Sequence, residues 1–209
     1  MKRSEYRGEG WIFPFVEYSP EKTDKKLPLI IQLHGADERG KGEEDLSLVE
    51  IHGFAKILKE AEYECKVIMP QCPLDSFWAA KTESVLNFID QLKEEFNVDE
   101  DRIYLTGLSM GGYGTWYISM AKPEIFAAIA PVCGGGMAWN ASVLKMPVWV
   151  FHGANDSVVS PFHSDEMVAE LRKTNTDVKY SKIENVNHDV WKNAYEKELL
   201  EWLLSKKRR

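Results

Sequence analysis

The stretch Ile103 to Pro123, I-Y-L-T-G-L-S-M-G-G-Y-G-T-W-Y-I-S-M-A-K-P, constrains the fold more than any other part of the chain. Ile103 to Thr106 is a short apolar run suited to a buried strand. Gly107-Leu108-Ser109-Met110-Gly111 follows at once, and a helical pattern then runs to Lys122-Pro123. This is a G-x-S-x-G elbow in the strand, turn, helix setting that the motif requires. A serine on a strained turn must project its hydroxyl while neighbouring elements approach the backbone, and glycines at 107 and 111 present no Cβ to obstruct them. The helix that begins after Ser109 aims free N–H groups at any negative charge developing there. The alternative reading of the glycines is a packing turn.

The rest of the chain alternates in the same way. Trp11 to Tyr18 reads as extended and, with Pro14 inside it, as an edge strand. Leu27 to Leu33 is a nearly continuous apolar run, as in a strand covered on both faces, and it ends in His34-Gly35-Ala36-Asp37-Glu38-Arg39-Gly40. Helical spacing is expected over Leu46 to Ala61, Ala79 to Phe96, Pro161 to Lys173 and Trp191 to Leu204. Strands are expected at Lys66 to Met69, Phe126 to Val132, Val148 to Phe151 and Val178 to Ile183. Strands alternating with such helices imply parallel βαβ units, whose sites gather beyond the strands' carboxyl ends. The loops after residues 33, 69, 106, 132, 151 and 183 therefore converge on one face.

The 209 residues fit a single domain spanning 1–209, without repeat or linker. Apolar content of 44% argues against disorder, and a formal net charge of −7 argues against a nucleic-acid partner. The basic end, Lys206-Lys207-Arg208-Arg209, reads as a solvated helix terminus. Cys65, Cys72 and Cys133 form no disulfide framework; Cys72 and Cys133 read as buried or half-buried thiols, with a bridge between them as the alternative. No secretory h-region follows Met1 and no apolar stretch reaches bilayer length, so no stable membrane association and a cytoplasmic location are the expectations.

A serine hydroxyl needs an adjacent base, itself held by a carboxylate, and after this elbow the partners follow in the order acid, then histidine. His188, in Asn185-Val186-Asn187-His188-Asp189 before the final helix, is the expected base; His152 is the alternative and His163 reads as solvent-facing. Asp156, in the turn-forming Gly153-Ala154-Asn155-Asp156-Ser157, is the expected acid. Asp189 is the alternative, while Asp165 and Glu166 suit a helix start. The Met110 amide and the Ala36 amide, with Asp37 second, are the expected oxyanion donors. Trp78, Met137 and Trp139 lie in loops of the same face and are candidates for walls of a substrate pocket, against ordinary loop packing; Trp116 and Tyr117 read as core.

These residues resemble the α/β-hydrolase superfamily, specifically its compact esterases of the phospholipase/carboxylesterase and dienelactone-hydrolase-like kind. The likeness rests on His34-Gly35, Gly107-Leu108-Ser109-Met110-Gly111-Gly112, His152-Gly153-Ala154-Asn155-Asp156 and Asn187-His188-Asp189. His34 to Gly40 with Pro70-Gln71-Cys72 and Trp78 is similar to a branch of predicted peptidases and feruloyl-esterase-like enzymes. The resemblance implies a three-layer α/β/α sandwich with a mainly parallel sheet of seven or eight strands and a triad of Ser109, Asp156 and His188. It also implies an oxyanion hole from Ala36 and Met110, and no cofactor. Gly134-Gly135-Gly136 matches no nucleotide loop, and the cysteine spacing supports no metal centre. The loop from Gly134 to Lys145 is too short for a large cap domain.

The expected activity is that of a carboxylesterase-type serine hydrolase. It would act through an acyl-enzyme on small-molecule, short-chain or aryl esters, including oligosaccharide-linked ones. A peptidase or acyltransferase with the same residues is one alternative, and a non-catalytic scaffold of the same fold is another.

Overall fold

The computed structural model describes residues 1–8 and 10–208. Its strands are β1 (Lys2–Tyr6), β2 (Phe15–Ser19), β3 (Leu27–Leu33), β4 (Lys66–Pro70), β5 (Val98–Leu108), β6 (Ala128–Val132), β7 (Val148–Gly153) and β8 (Val178–Ile183). They form one eight-stranded sheet in the order β1-β2-β4-β3-β5-β6-β7-β8. β1 and β2 run antiparallel to their neighbours, and β4, β3, β5, β6, β7 and β8 pair in parallel. The helices are α1 (Ala55–Glu60), α2 (Thr82–Glu95), α3 (Met110–Ala121), α4 (Phe162–Leu171), α5 (Trp191–Ala194) and α6 (Lys197–Leu204).

Alternation along the strands makes three layers. Leu29, Ile31 and Leu33 of β3 join a core with Val85, Phe88, Ile89 and Leu92 of α2, Trp116 of α3 and Met167 of α4. Ile30 of the same strand points the other way, into a core with Leu58 of α1 and Leu199, Leu200 and Leu203 of α6. Each central strand thus shields two apolar faces at once, which is why β3 reads as a continuous apolar run. The chain is a three-layer α/β/α sandwich with a mostly parallel sheet and no large cap insertion.

Several boundaries differ from the sequence expectations. Trp11 to Tyr18 is not an edge strand: β2 begins at Phe15, just after Pro14, and β1 covers its outer side. The helix expected over Leu46 to Ala61 is a 3-10 segment, Glu44–Glu50, followed by α1. Gly53, at φ +96°, breaks the path between them, and an added Cβ there would strike the Gln32 side-chain amide. The last helix is interrupted between α5 and α6, where Tyr195 leaves helical geometry. Of the basic end, Lys206 pairs with Asp177, and Lys207 and Arg208 pair with Asp101; Arg209 lies outside the described residues.

Candidate active site

β5 passes into α3 through Ser109, whose φ of 53° and ψ of −115° lie in a region that a side-chain-bearing residue enters only under constraint. The constraint is close packing. A Cβ at Gly111 would strike the carbonyl oxygen of Leu33, and one at Gly107 the carbonyl oxygen of Gly111. The Ser109 amide donates to the Val132 carbonyl at 2.9 Å, tying the turn to the end of β6.

Three residues from three strand ends meet in a row. Ser109 Oγ and His188 Nε2 are 2.9 Å apart, and His188 Nδ1 lies 2.7 Å from Asp156 Oδ2. The amides of Val158 and Val159 donate to Asp156 Oδ1, each at 2.9 Å. Burial opposes ionisation of Asp156, but the hydrogen bonds from His188, Val159 and Val158 outweigh it and hold the carboxyl below its ordinary value. The carboxylate therefore fixes the imidazole with its Nδ1–H toward Asp156 and Nε2 toward the elbow. Asp189, the alternative acid, is tied at the surface to Lys192. His163 is half-buried beside Glu166, and His152 is buried next to Asp156.

A thiol shares this site. Cys133 Sγ, a carboxylate oxygen of Asp156 and a ring nitrogen of His188 all lie within 4.8 Å of one another. The expectation of a carboxylesterase-type serine hydrolase, with Cys133 as a buried or half-buried thiol, is corrected by this cluster. A cysteine, an imidazole and a carboxylate are gathered as a triad would be, so the nucleophile class does not follow from the elbow motif. Cys133 leaves β6 at φ 41° with its amide donating to Phe151 O at 2.8 Å. Burial pushes its thiol well above the ordinary cysteine value. The same three donors are near enough to converge on one ion, although the imidazole and carboxylate are already hydrogen-bonded to each other.

The loop after β3 runs beside the elbow: a Cβ at Gly35 would lie 3.8 Å from Ser109 Cβ. Ala36 opens a short 3-10 turn there, and Met110 is the first residue of α3, where amides have no partner within the helix. His34 anchors this loop. Its Nδ1–H donates to Gly35 O at 2.6 Å, its Nε2 accepts from the Cys72 amide at 2.9 Å, and burial lowers its pKa to about 4.

The expected pocket walls are placed differently. Trp78 is wholly buried and its Nε1–H donates to His34 O at 3.0 Å, so it is a packing post under the loop rather than a wall. Met137 packs against the core, and Trp139 stands 80% exposed. The cleft next to the elbow, about 360 Å³, is lined instead by Phe77, Ala79, Met110, Tyr113 and Tyr117. Tyr117, expected in the core, faces this cleft. Tyr113 and Tyr117 lie one helical turn apart on α3, and that four-residue spacing puts both rings on one face of the helix. Among the described residues no helix is long and apolar enough to cross a membrane; the expected cytoplasmic location finds no support in the fold or the relatives.

Comparisons agree with this architecture. The prolyl oligopeptidase family pattern matches residues 79–140. A bifunctional acetylxylan esterase/xylanase of Neocallimastix patriciarum is 31% identical over 149 residues, covering 68% of this chain and 21% of that protein. The crystal structure of a thermostable esterase superposes with a TM-score of 0.82 at 32% identity, covering 99% of this chain and 63% of that one. An acetyl xylan esterase from Aspergillus awamori shares the fold, with a TM-score of 0.68 at 14% identity over 90% of this chain and 94% of that chain. The chain thus spans only part of the first two relatives.

Proposed function

Because the chain belongs to the α/β-hydrolase superfamily, related to its dienelactone-hydrolase, acetylxylan-esterase and carboxylesterase branches, we propose that it hydrolyses small esters through a covalent acyl intermediate. Acyl groups carried on oligosaccharide hydroxyls are the substrate class that the acetylxylan-esterase relatives favour. The observation that carries the reading is the row from Asp156 through His188 to the elbow, at 2.7 and 2.9 Å. His188 is the base and Asp156 its orienting carboxylate. Ala36 and Met110 supply the amides for the oxyanion.

The hydrogen-bond row favours Ser109 as the acyl carrier. Its hydroxyl proton passes to His188 Nε2 as Oγ bonds to the ester carbon. The imidazolium then protonates the departing alcohol oxygen, and water repeats the sequence to free the acid. The Cys133 cluster favours a second reading in which the acyl group rides on the thiol. That route needs a thiolate, which burial of Cys133 opposes.

Turnover of p-nitrophenyl acetate and of acetylated xylo-oligosaccharides, followed by peptide mapping of a trapped fluorophosphonate adduct, tests both readings. The adduct is expected on Ser109. An acyl or inhibitor adduct on Cys133 selects the second reading, and folded protein that turns over no ester sinks the proposal.

A further inference from the structure

A second imidazole lies beneath the carboxylate that orients His188. We propose that His152 is a positioning residue: its Nε2–H bonds the Val159 carbonyl while lying against the same Asp156 oxygen that His188 binds, and that carbonyl fixes the tautomer, with Ser164 as the partner of Nδ1. The inference rests on the reading of Asp156 and His188 as orienter and base.

His152 is wholly buried at the end of β7. Its Nε2 is 2.9 Å from the carbonyl oxygen of Val159 and 3.3 Å from Asp156 Oδ2. A carbonyl oxygen only accepts, so Nε2 carries the proton and donates it to Val159 O, with Asp156 Oδ2 close beside that bond. Nδ1 is then bare and accepts from the Ser164 hydroxyl at 2.7 Å; Ser164 Oγ also lies 3.1 Å from Gly134 O. Burial keeps the ring neutral, helped by His188 and opposed by the Val159 carbonyl, by Asp156 and, on α4, by Asp165.

The Val159 peptide closes the arrangement. Its N–H donates to Asp156 Oδ1, and its C=O accepts from His152. One imidazole therefore lies against one carboxylate oxygen and steadies the other through the peptide that binds it. Asp156 cannot rotate away from His188 without breaking a buried contact. His152 reaches no substrate, so its removal should lower kcat and leave KM alone.

The test compares His152→Leu, His152→Gln, Ser164→Ala and Asp156→Asn on one ester over a pH series. Loss of the hydrogen bond to Val159, with its N–H dipole beside the carboxylate, predicts about a 10-fold fall in kcat for the leucine variant. KM should stay constant and the acid limb of kcat/KM should move upward, because a carboxylate without that N–H dipole beside it holds the imidazolium proton harder. Glutamine can place an N–H near Nε2 and should recover most of the loss, while Ser164→Ala should cost roughly 3-fold in kcat. Equal losses in the leucine and glutamine variants, or a folded leucine variant with the parent's kcat and pH profile, would overturn the proposal. If the leucine variant does not fold, an unchanged kcat and acid limb in both other variants overturns it. Near-normal turnover by Asp156→Asn would instead defeat the underlying assignment of base and orienter.

Discussion

Two His-Gly pairs end two strands of this sheet and do different work. At His34-Gly35 the imidazole donates through Nδ1 and accepts through Nε2, locking the loop that carries Ala36. At His152-Gly153 the tautomer is reversed, and the ring serves the carboxylate of Asp156. The glycines differ as well. A Cβ at Gly35 would meet the side chains of Glu38 and Leu108 at 3.0 Å, and those have some freedom to yield. A Cβ at Gly153 would strike the backbone oxygens of Asn187 and Val186. The difference shows where the site tolerates no slack: acid and base come from two loops whose backbones touch at Gly153.

The largest expected effect follows from that contact. Asp156→Asn should lower kcat by roughly 10³-fold or more with the fold retained, because the imidazole loses its fixed tautomer and the stabilisation of its charged form. Ser109→Ala should fall as far if the hydroxyl carries the acyl group. Circular dichroism and steady-state turnover on the same preparation check both. A mild Asp156→Asn beside a severe Asp189→Asn would move the acid to the other loop.

Gly153→Ala against Gly35→Ala sharpens the contrast. The first forces backbone from backbone between Asp156 and His188, and should cost several kcal/mol of stability or prevent folding. The second should be tolerated in the fold and lose activity through a displaced Ala36 amide. Denaturant midpoints of the two variants decide it; equal midpoints would erase the distinction.

Much of this contrast was legible in the sequence, because strand ends, glycines and the order of acid and base are local signals. His34, Asp156 and His188 stand where apolar runs stop. What escaped depends on partners distant in the chain. β1, K-R-S-E-Y, has no strand pattern of its own and forms by pairing with β2. Trp78 looks like a loop aromatic until Gly114 opens room for it against α3, where a Cβ would meet Trp78 Cβ at 2.5 Å. The approach of Cys133 to His188 requires knowing that β6 lies between β5 and β7, and spacing does not reveal that.

The next effect is on stability. His34 is buried with its pKa lowered to about 4 from 6.5, so the unfolded chain binds a proton at higher pH than the folded one. Its contribution is intact above the unfolded value and is lost as pH falls from 6.5 toward 4, by roughly 3 kcal/mol at the acid end. His34→Gln should be less stable at pH 8 and should lack that part of the acid slope. Urea unfolding from pH 8 to pH 4 measures the slope; parallel curves for parent and variant would contradict the assignment.

The smallest expected effect concerns substrate contact, and it asks which His-Gly loop the acyl group lies beside. The apolar cleft of about 360 Å³ contains Phe77, and the next residue, Trp78, is hydrogen-bonded to His34 O. The cleft is thus suspended from the His34 side of the site. Trp139, on the loop after β6, is more exposed than Phe77, at 80% against 55%, and is not among the residues lining that cleft. Partial burial of a phenyl ring against an acyl chain contributes about 1 kcal/mol, so Phe77→Ala should raise KM for a butyryl ester roughly 5-fold. The effect on an acetyl ester should be smaller, and kcat should hold for both. Trp139→Ala should stay within about twofold on either substrate. The measurement is kcat and KM for acetyl and butyryl p-nitrophenyl esters with each variant. A KM effect concentrated in Trp139→Ala would place the acyl group over the loop after β6, on the His152 side, and would restore Trp139 as a pocket wall.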